Sequence, residues 1–280
     1  MGLQHLSLSL TDSEYASLLD APSGSKLRTR GDAQTYTVQA DRIFWRGRTG
    51  QWSVSAALTQ KEQGNYLEDV LLEVSSRRLS IFDVDTRYTR LLFGGSANVS
   101  VGVARGLSAL GALEDLDHMP DWAPRAQFTK YKYGLGYFRP FQMLGHSLTF
   151  TSQLNGQHAA DVLYGSERLQ VGSPYTVRGF NEDAIAGDHG YYWRNELALT
   201  QMLALGSGRI LSLRPFVGLD YGKVWNREDE SAGDLSSASL GVTASTGPVR
   251  LTLTLAHPLN SPKYGSEQGD SLAFNLSLAY

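Results

Sequence analysis

The 280-residue sequence contains no cysteine, which excludes disulfide frameworks and thiolate metal sites. It also has no apolar run that approaches the roughly 20 residues of an α-helical membrane span, so a helical membrane protein is excluded. Neither sign of charge dominates, because 25 Lys and Arg residues stand against 28 Asp and Glu residues, for a net charge of -3. Without a strong basic field, the sequence gives no indication of a nucleic-acid partner.

The motifs of common enzyme classes are missing as well. There is no P-loop, no H-E-x-x-H and no G-x-S-x-G, and the 6 histidines include no pair at metal-ligand spacing. Ser173 as a nucleophile with His189 as its base would be speculation. We therefore predict a protein that is not an enzyme and has no catalytic residue, cofactor or metal site.

What the sequence does contain is apolar residues at every second position. Near the C-terminus, Leu272, Phe274, Leu276, Leu278 and Tyr280 alternate with small or polar residues. A period of two places one set of side chains on each face of a β-strand. The same alternation recurs at 148–155, 211–222, 249–255 and in weaker stretches, which together predict about twelve strands.

The polar faces of these strands carry Ser, Thr, Asn and Gly and few Lys or Glu, which is typical of a wet lumen. Short connections at 94–95, 144–145 and 246–248 alternate with long ones at 106–125, 159–189 and 226–233, as in outer-membrane barrels. A soluble β-sandwich would also alternate, but its outer faces would be solvated and richer in charge. The sequence thus predicts an all-β fold, a transmembrane antiparallel β-barrel.

The longest predicted loop, residues 158–189, is far longer than an ordinary hairpin loop and is expected to be functional or disordered. It contains the sequence VRGF, and a later strand has F-x-x-x-D-x-G spacing. The residues of these two motifs are Val177, Arg178, Gly179 and Phe180 in the loop, and Phe216, Asp220 and Gly222 in the strand.

With these motifs in this order, the chain resembles the TpsB transporters of two-partner secretion, in the BamA-like outer-membrane superfamily. Shorter stretches extend the resemblance over nearly the whole chain: NYLED at 65–69, SSRRL at 75–79, RGL at 105–107 and NEL at 195–197. Tyr280 is similar to the terminal aromatic residue by which the barrel-assembly machinery recognises its clients. The resemblance implies that the long loop folds inward and that Arg178 pairs with Asp220 to fix it inside the barrel.

The physical chemistry of the residues agrees with this pairing. Asp220 has the inward parity of its strand, together with Gly218 and Gly222, and a carboxylate in a confined lumen requires a cation. The guanidinium of Arg178 offers two donors in a rigid fork that matches a carboxylate. A solvent-exposed loop arginine and an unpartnered lumen aspartate remain open at this point.

Further charges are predicted to line the lumen. Arg194 and Glu196 fall on one face of a single strand and are placed to pair, although a hydrated pair contributes little stability. Arg214 is another predicted lumen charge. Lys130, Lys132 and Arg250 are interpreted as ordinary lumen lining.

The resemblance also indicates how much of a transporter these residues represent. About five strands are predicted after the long loop and about seven before it, against roughly sixteen strands in the family's barrel. The first residues form no signal peptide. We therefore expect residues 1–280 to be the C-terminal part of the barrel, without the periplasmic POTRA domains and the plug helix, and inactive as a truncated chain.

The expected function is an outer-membrane pore that exports a TpsA-like partner exoprotein, of the haemolysin or adhesin type, in two-partner (type V) secretion. The expected partners are that exoprotein, outer-membrane lipid and the barrel-assembly machinery. A BamA-type assembly factor and a passive porin are the alternatives. The RGL stretch at Arg105 and the SSRRL stretch at Arg77 favour secretion.

Overall fold

A computed structural model describes residues 4–20, 26–73, 75–180, 184–227, 233–260 and 269–279, and Tyr280 lies outside them. The strands in chain order are β1 (His5–Asp20), β2 (Lys26–Arg46), β3 (Gly50–Leu67), β4 (Val70–Leu71), β5 (Arg77–Leu92), β6 (Gly95–Leu107), β7 (Thr129–Met143), β8 (His146–Ala159), β9 (Leu169–Val171), β10 (Ile185–Gly187), β11 (His189–Leu205), β12 (Arg209–Trp225), β13 (Gly233–Thr246), β14 (Val249–Pro258) and β15 (Ser271–Leu278). Two 3₁₀ turns lie at Gly165–Glu167 and Gly206–Gly208. Neither described helical turn is long enough to cross a membrane.

The long strands form one antiparallel meander. Within the described residues, the order of strands along the sheet is β1-β2-β3-β5-β6-β7-β8-β11-β12-β13-β14-β15, and β4 pairs with β3 beside this path. Strands β9 and β10 form a separate antiparallel ribbon inside the long loop. The prediction of an all-β antiparallel fold with about twelve consecutive strands, seven before the long loop and five after it, is confirmed.

Successive side chains of a strand point to opposite faces of the sheet, so the alternation of apolar and polar residues gives the two faces different compositions. In β12, Gly218 and Asp220 are buried on the inner face, while the intervening Val217 and Leu219 are exposed on the outer face. The outer face continues with exposed apolar residues on distant strands, such as Leu8 and Phe274. An apolar outer face over a small or polar inner face is the pattern of a membrane barrel.

Tight turns and long loops lie at opposite edges of the sheet. Phe93 and Gly94 both have positive φ in the β5–β6 turn, as do Leu144 and Gly145 in the β7–β8 turn. Two consecutive positive φ values give the two-residue hairpin turn that matches strand twist. The opposite edge carries the connections at 108–128 and 160–188, as the sequence predicts.

The packed core lies on the inner face, beneath the long loops, in two apolar clusters. Cluster one consists of Leu79, Ile81, Ala104, Ala126, Phe128, Ala159 and Leu163. Cluster two consists of Val171, Val177, Phe180, Val224 and Leu235. The loop between β8 and β11 contributes to both clusters, so it packs against the inner face at two separate places.

Candidate functional site

The tip of the long loop is a compact turn. The backbone amide of Ser173 donates to the carbonyl of Val177 at 3.0 Å, and the amide of Thr176 donates to the carbonyl of Ser173 at 3.2 Å. The amide of Gly172 donates to Oγ1 of Thr176 at 3.0 Å. These local bonds satisfy the backbone of the turn and present Arg178 to the wall of the sheet.

Arg178 reaches the carboxylate of Asp220 with both sides of its guanidinium. Nε donates to Oδ2 at 2.6 Å and Nη2 donates to Oδ1 at 2.8 Å. The backbone amide of Arg178 also donates to Oδ2, at 3.3 Å. The two side chains are only 6% and 0% exposed. The contact is thus a buried bidentate ion pair, which is among the strongest charge-assisted arrangements in proteins.

A second carboxylate completes the surroundings of Arg178. Its Nη1 donates to Oε2 of Glu196 at 3.4 Å, and Nη2 of Arg214 lies 3.1 Å from the other oxygen of Glu196. The predicted pairing of Glu196 with Arg194 is wrong: within the described residues, no ion pair joins these two side chains. Residues two apart on a strand, such as Arg194 and Glu196, are separated by roughly 6.6 Å. The loop instead brings Arg178 within 3.4 Å of Glu196.

Glycines in the wall make room for the loop. A Cβ added to Gly218 would lie 2.2 Å from Nη2 of Arg178, and one added to Gly222 would lie 2.5 Å from Cγ1 of Val171. Gly179, directly after the arginine, has a φ of 96°, a conformation that side chains rarely adopt. On the inner face of β12, Asp220 therefore stands between two positions, Gly218 and Gly222, where the loop leaves no room for a side chain.

Apolar residues flank the ion pair. Val177 and Phe180 are fully buried in cluster two. Burying a side chain of either type contributes roughly 1.5–3 kcal/mol. The ring of Phe216 lies below the guanidinium of Arg178, with 5.7 Å between Cζ and the ring centroid. The VRGF residues thus combine one buried cation with two apolar anchors.

The same loop has a second attachment that the sequence does not predict. Nζ of Lys61 lies 2.6 Å from Oε1 of Glu167, and Nζ of Lys130 lies 2.9 Å from Oε2. The Glu167 side chain is 2% exposed. Burial opposes ionisation, but the two lysines outweigh it and lower the pKa of Glu167 below its ordinary value of 4.5.

No local signal in the sequence identifies this attachment, because Glu167 is 106 residues from Lys61 and 37 residues from Lys130. Lys130 is therefore not simply lumen lining. Lys132 also has defined partners, since its Nζ lies 2.6 Å from Oδ1 of Asp83 and 2.9 Å from Oδ2 of Asp85. Both lysines have the inward parity that the sequence assigns to them.

The remaining sequence candidates have local partners. Asn65 of the NYLED stretch donates from Nδ2 to the carbonyl of Ser75, which ties the β3 end to the SSRRL stretch. Ser173 bonds to Thr176 through its hydroxyl, while Nδ1 of His189 accepts the amide of Ala159. Ser173 and His189 are not paired with each other in the described part of the chain.

Comparison with known proteins places these features in a family. Residues 1–244 match the model described as haemolysin secretion/activation protein ShlB/FhaC/HecB. The chain is 31% identical to the outer membrane transporter CdiB of Dickeya dadantii over 254 residues, which are 89% of this chain and 44% of that protein.

Two solved structures have the same fold as this chain. CdiB from Escherichia coli superposes with a TM-score of 0.89 at 27% identity, covering 98% of this chain and 50% of that chain. BamA from Haemophilus ducreyi shares the fold, with a TM-score of 0.58 at 12% identity over 95% of this chain and 62% of that chain. The chain spans about half the length of these relatives. It belongs to the haemolysin secretion/activation family, ShlB/FhaC/HecB.

Proposed function

We propose that this chain is the C-terminal barrel portion of an outer-membrane transporter that exports a partner exoprotein, of the haemolysin or adhesin type, in two-partner secretion. The observation that carries the proposal is the inner-face loop whose Arg178 is buried against Asp220. Family membership and the transporter names of the relatives support the same function. The chemistry is transport rather than catalysis.

The exoprotein crosses the barrel unfolded, without nucleotide hydrolysis, and the long loop braces or gates its path. Beside the loop tip lies a cavity of about 320 Å³. Its lining includes Tyr175 and Arg178 of the loop, the charged residues Arg194, Glu196 and Arg214, and the threonines Thr243, Thr252 and Thr254. Its lining mixes threonine hydroxyls with charged side chains, and both can exchange hydrogen bonds with an extended backbone in place of water.

The proposed partners besides the exoprotein are lipid and the assembly machinery. The exposed apolar outer face, which includes Leu8, Val217, Leu219 and Phe274, suits the hydrocarbon of a bilayer. Recognition by the assembly machinery is proposed through the C-terminal Tyr280. We propose no cofactor and no nucleic-acid partner.

The assembly-factor alternative shares the architecture, since BamA has the same fold. The match to the secretion/activation model over residues 1–244 favours export over assembly. A passive porin would also contain a constricting loop. The porin alternative, however, does not explain why one loop is attached to the wall at two separate places.

A secretion assay tests the proposal. The full-length transporter is expressed with its exoprotein partner, and the exoprotein is measured in the medium. We expect secretion to require the transporter. In Arg178→Ala, secretion should fall about tenfold, because the buried Asp220 loses its bidentate cation. Arg250→Ala is the matched control, an exposed inner-face arginine with the same side chain removed. Export that continues unchanged without the transporter would overturn the proposal.

A further inference from the structure

We propose that Glu167 is a second positioning residue of the export pore, which holds the first half of the long loop across the inner face independently of the Arg178 tip. The inference rests on the proposed function, which makes the position of this loop decisive for passage. Glu167 lies in the 3₁₀ turn Gly165–Glu167, well before the tip.

Glu167 is held by side chains from three strands. Its two carboxylate oxygens take different lysines, Lys61 of β3 and Lys130 of β7. Its backbone carbonyl accepts a second bond from Nζ of Lys130 and one from Nε2 of Gln157 in β8, each at 3.1 Å. Strands β5 and β6 lie between β3 and β7 in the sheet, so a single loop residue joins strands that are not neighbours in the sheet.

The electrostatics make this attachment depend on charge. The Lys61 and Lys130 side chains are 32% and 11% exposed, and both ammonium groups converge on one carboxylate. Replacing that carboxylate by a neutral amide leaves the two ammonium groups without the anion that they share. Like charges at such distances repel, so the lysines are expected to separate and release the loop.

The two attachments are separable because they use different wall segments and different apolar clusters. Glu167 binds β3, β7 and β8, next to cluster one, which contains Leu163 of the loop. Arg178 binds β11 and β12, next to cluster two. Sites that share no partner respond independently to mutation. Either half of the loop can therefore open while the other half stays in place.

Site-specific labelling tests this separation. Because the 280 residues contain no cysteine, a substituted thiol in them is the only one they offer. Val162→Cys reports on the first half of the loop and Val171→Cys on the tip, and both valines are buried. Each is introduced into the full-length transporter in cells and exposed to a membrane-impermeant maleimide.

We expect Glu167→Gln to raise the labelling rate of Val162→Cys about tenfold and to leave that of Val171→Cys within about twofold, since local openings have separate free energies. Arg178→Ala should do the reverse. Glu62→Gln is the matched control: Glu62 is the neighbour of Lys61, and its carboxylate pairs with Arg78 on the wall rather than with the loop. It should change neither rate.

The charge-exchanged variant Lys130→Glu with Glu167→Lys, made together with Lys61→Gln so that no ammonium group faces the new lysine, supplies a rescue that a general folding defect would not show. It restores opposite charges at this point and should return the labelling of Val162→Cys towards the wild-type rate. Unchanged labelling in Glu167→Gln, or an equal rise at both reporters, would overturn the inference. Export is measured in parallel, so failure of the proposed function shows as absent secretion in the wild type, whatever the labelling pattern.

Discussion

At the scale of single residues, the decisive contact is one guanidinium shared by two carboxylates. Burying Arg178 and Asp220 has a large desolvation cost, and the bidentate geometry with additional backbone and Glu196 contacts offsets it. Arg194 stands directly opposite Asp220 across the β11–β12 pair. If the loop tip moved away and took Arg178 with it, Arg194 could pair with Asp220. Such a replacement would lower the free energy needed to release the tip.

The first prediction concerns the coupling of Arg178 with Asp220. Each single change, Arg178→Ala or Asp220→Ala, is expected to weaken loop attachment by up to roughly 3–5 kcal/mol, because a buried charge loses its bidentate partner. Arg194 beside Asp220 and Glu196 beside Arg178 hold the loss below that limit. Arg178→Lys should retain only part of the function, since an ammonium cannot bridge both oxygens in the same way.

A double-mutant cycle on secretion is the measurement. The effect of the double variant should be much smaller than the sum of the single effects. Strictly additive losses would show that the two side chains act separately, in spite of their contact.

The second prediction concerns Gly218, whose missing side chain makes room for the guanidinium. In Gly218→Ala the new methyl would meet Nη2 of Arg178 at 2.2 Å, so the loop tip must shift. We expect a cost of about 1–3 kcal/mol, as for other overpacked sites. Faster labelling of Val171→Cys is the readout. Gly269→Ala is the control because an added Cβ there meets nothing within 4 Å; equal rates in both variants would contradict the steric argument.

At the scale of elements, the long loop behaves as part of the core. It supplies Leu163 to cluster one and Val171, Val177 and Phe180 to cluster two. The loop is therefore held in place by apolar packing against the sheet as well as by its own hydrogen bonds. The loop contributes a guanidinium, Arg178, to one attachment and a carboxylate, Glu167, to the other.

The third prediction is therefore a pH dependence of the first half of the loop. The pKa of Glu167 is lowered in the folded state, so its contribution is present above 4.5 and is lost as the pH falls through the lower folded value. The groups that face its carboxylate are the ammonium groups of Lys61 and Lys130, and the neighbouring Gln157 is an uncharged amide.

A nitroxide attached at Ser166→Cys should gain mobility in acid below the unfolded-state pKa of Glu167. The same label in a Glu167→Gln background should be mobile at all pH values, because the carboxylate that titrates is gone. A parallel acid transition in both proteins would assign the effect to other groups.

At the scale of the whole molecule, the described sheet begins with β1 and ends with β15. In the described residues, β1 and β15 each pair with a single neighbouring strand. Unpaired backbone amides and carbonyls are unfavourable in lipid, where water does not satisfy them. The matching relatives are about twice as long as this chain.

The fourth prediction follows from these edges. The 280 residues alone, directed to the periplasm, should neither insert stably nor export a partner, whereas the full-length transporter should run as a heat-modifiable outer-membrane protein. Membrane fractionation, urea extraction and secretion are compared side by side. Efficient export by the short chain would contradict this expectation, and so would a soluble periplasmic full-length protein.

The sequence alone predicts the strands because their pattern is local. The alternation in 211–222 assigns Asp220 and Gly218 to one face and Val217 to the other, and the structure has them there. Positions of the tight turns follow from the same local pattern. The two motifs point to Arg178 and Asp220 through resemblance, which carries information that spacing alone does not contain.

The sequence by itself therefore determined the strand class, the meander order, the inner and outer faces and the importance of the loop. Only the tertiary structure decided that Glu196 pairs with Arg178 and Arg214, and that Glu167 binds Lys61 and Lys130. The face on which a strand residue lies follows from its neighbours in the chain. An ion pair instead depends on which residues, distant in sequence, are brought close together by the fold. A loop folded over a curved sheet brings together residues 106 positions apart, and no periodicity records that distance.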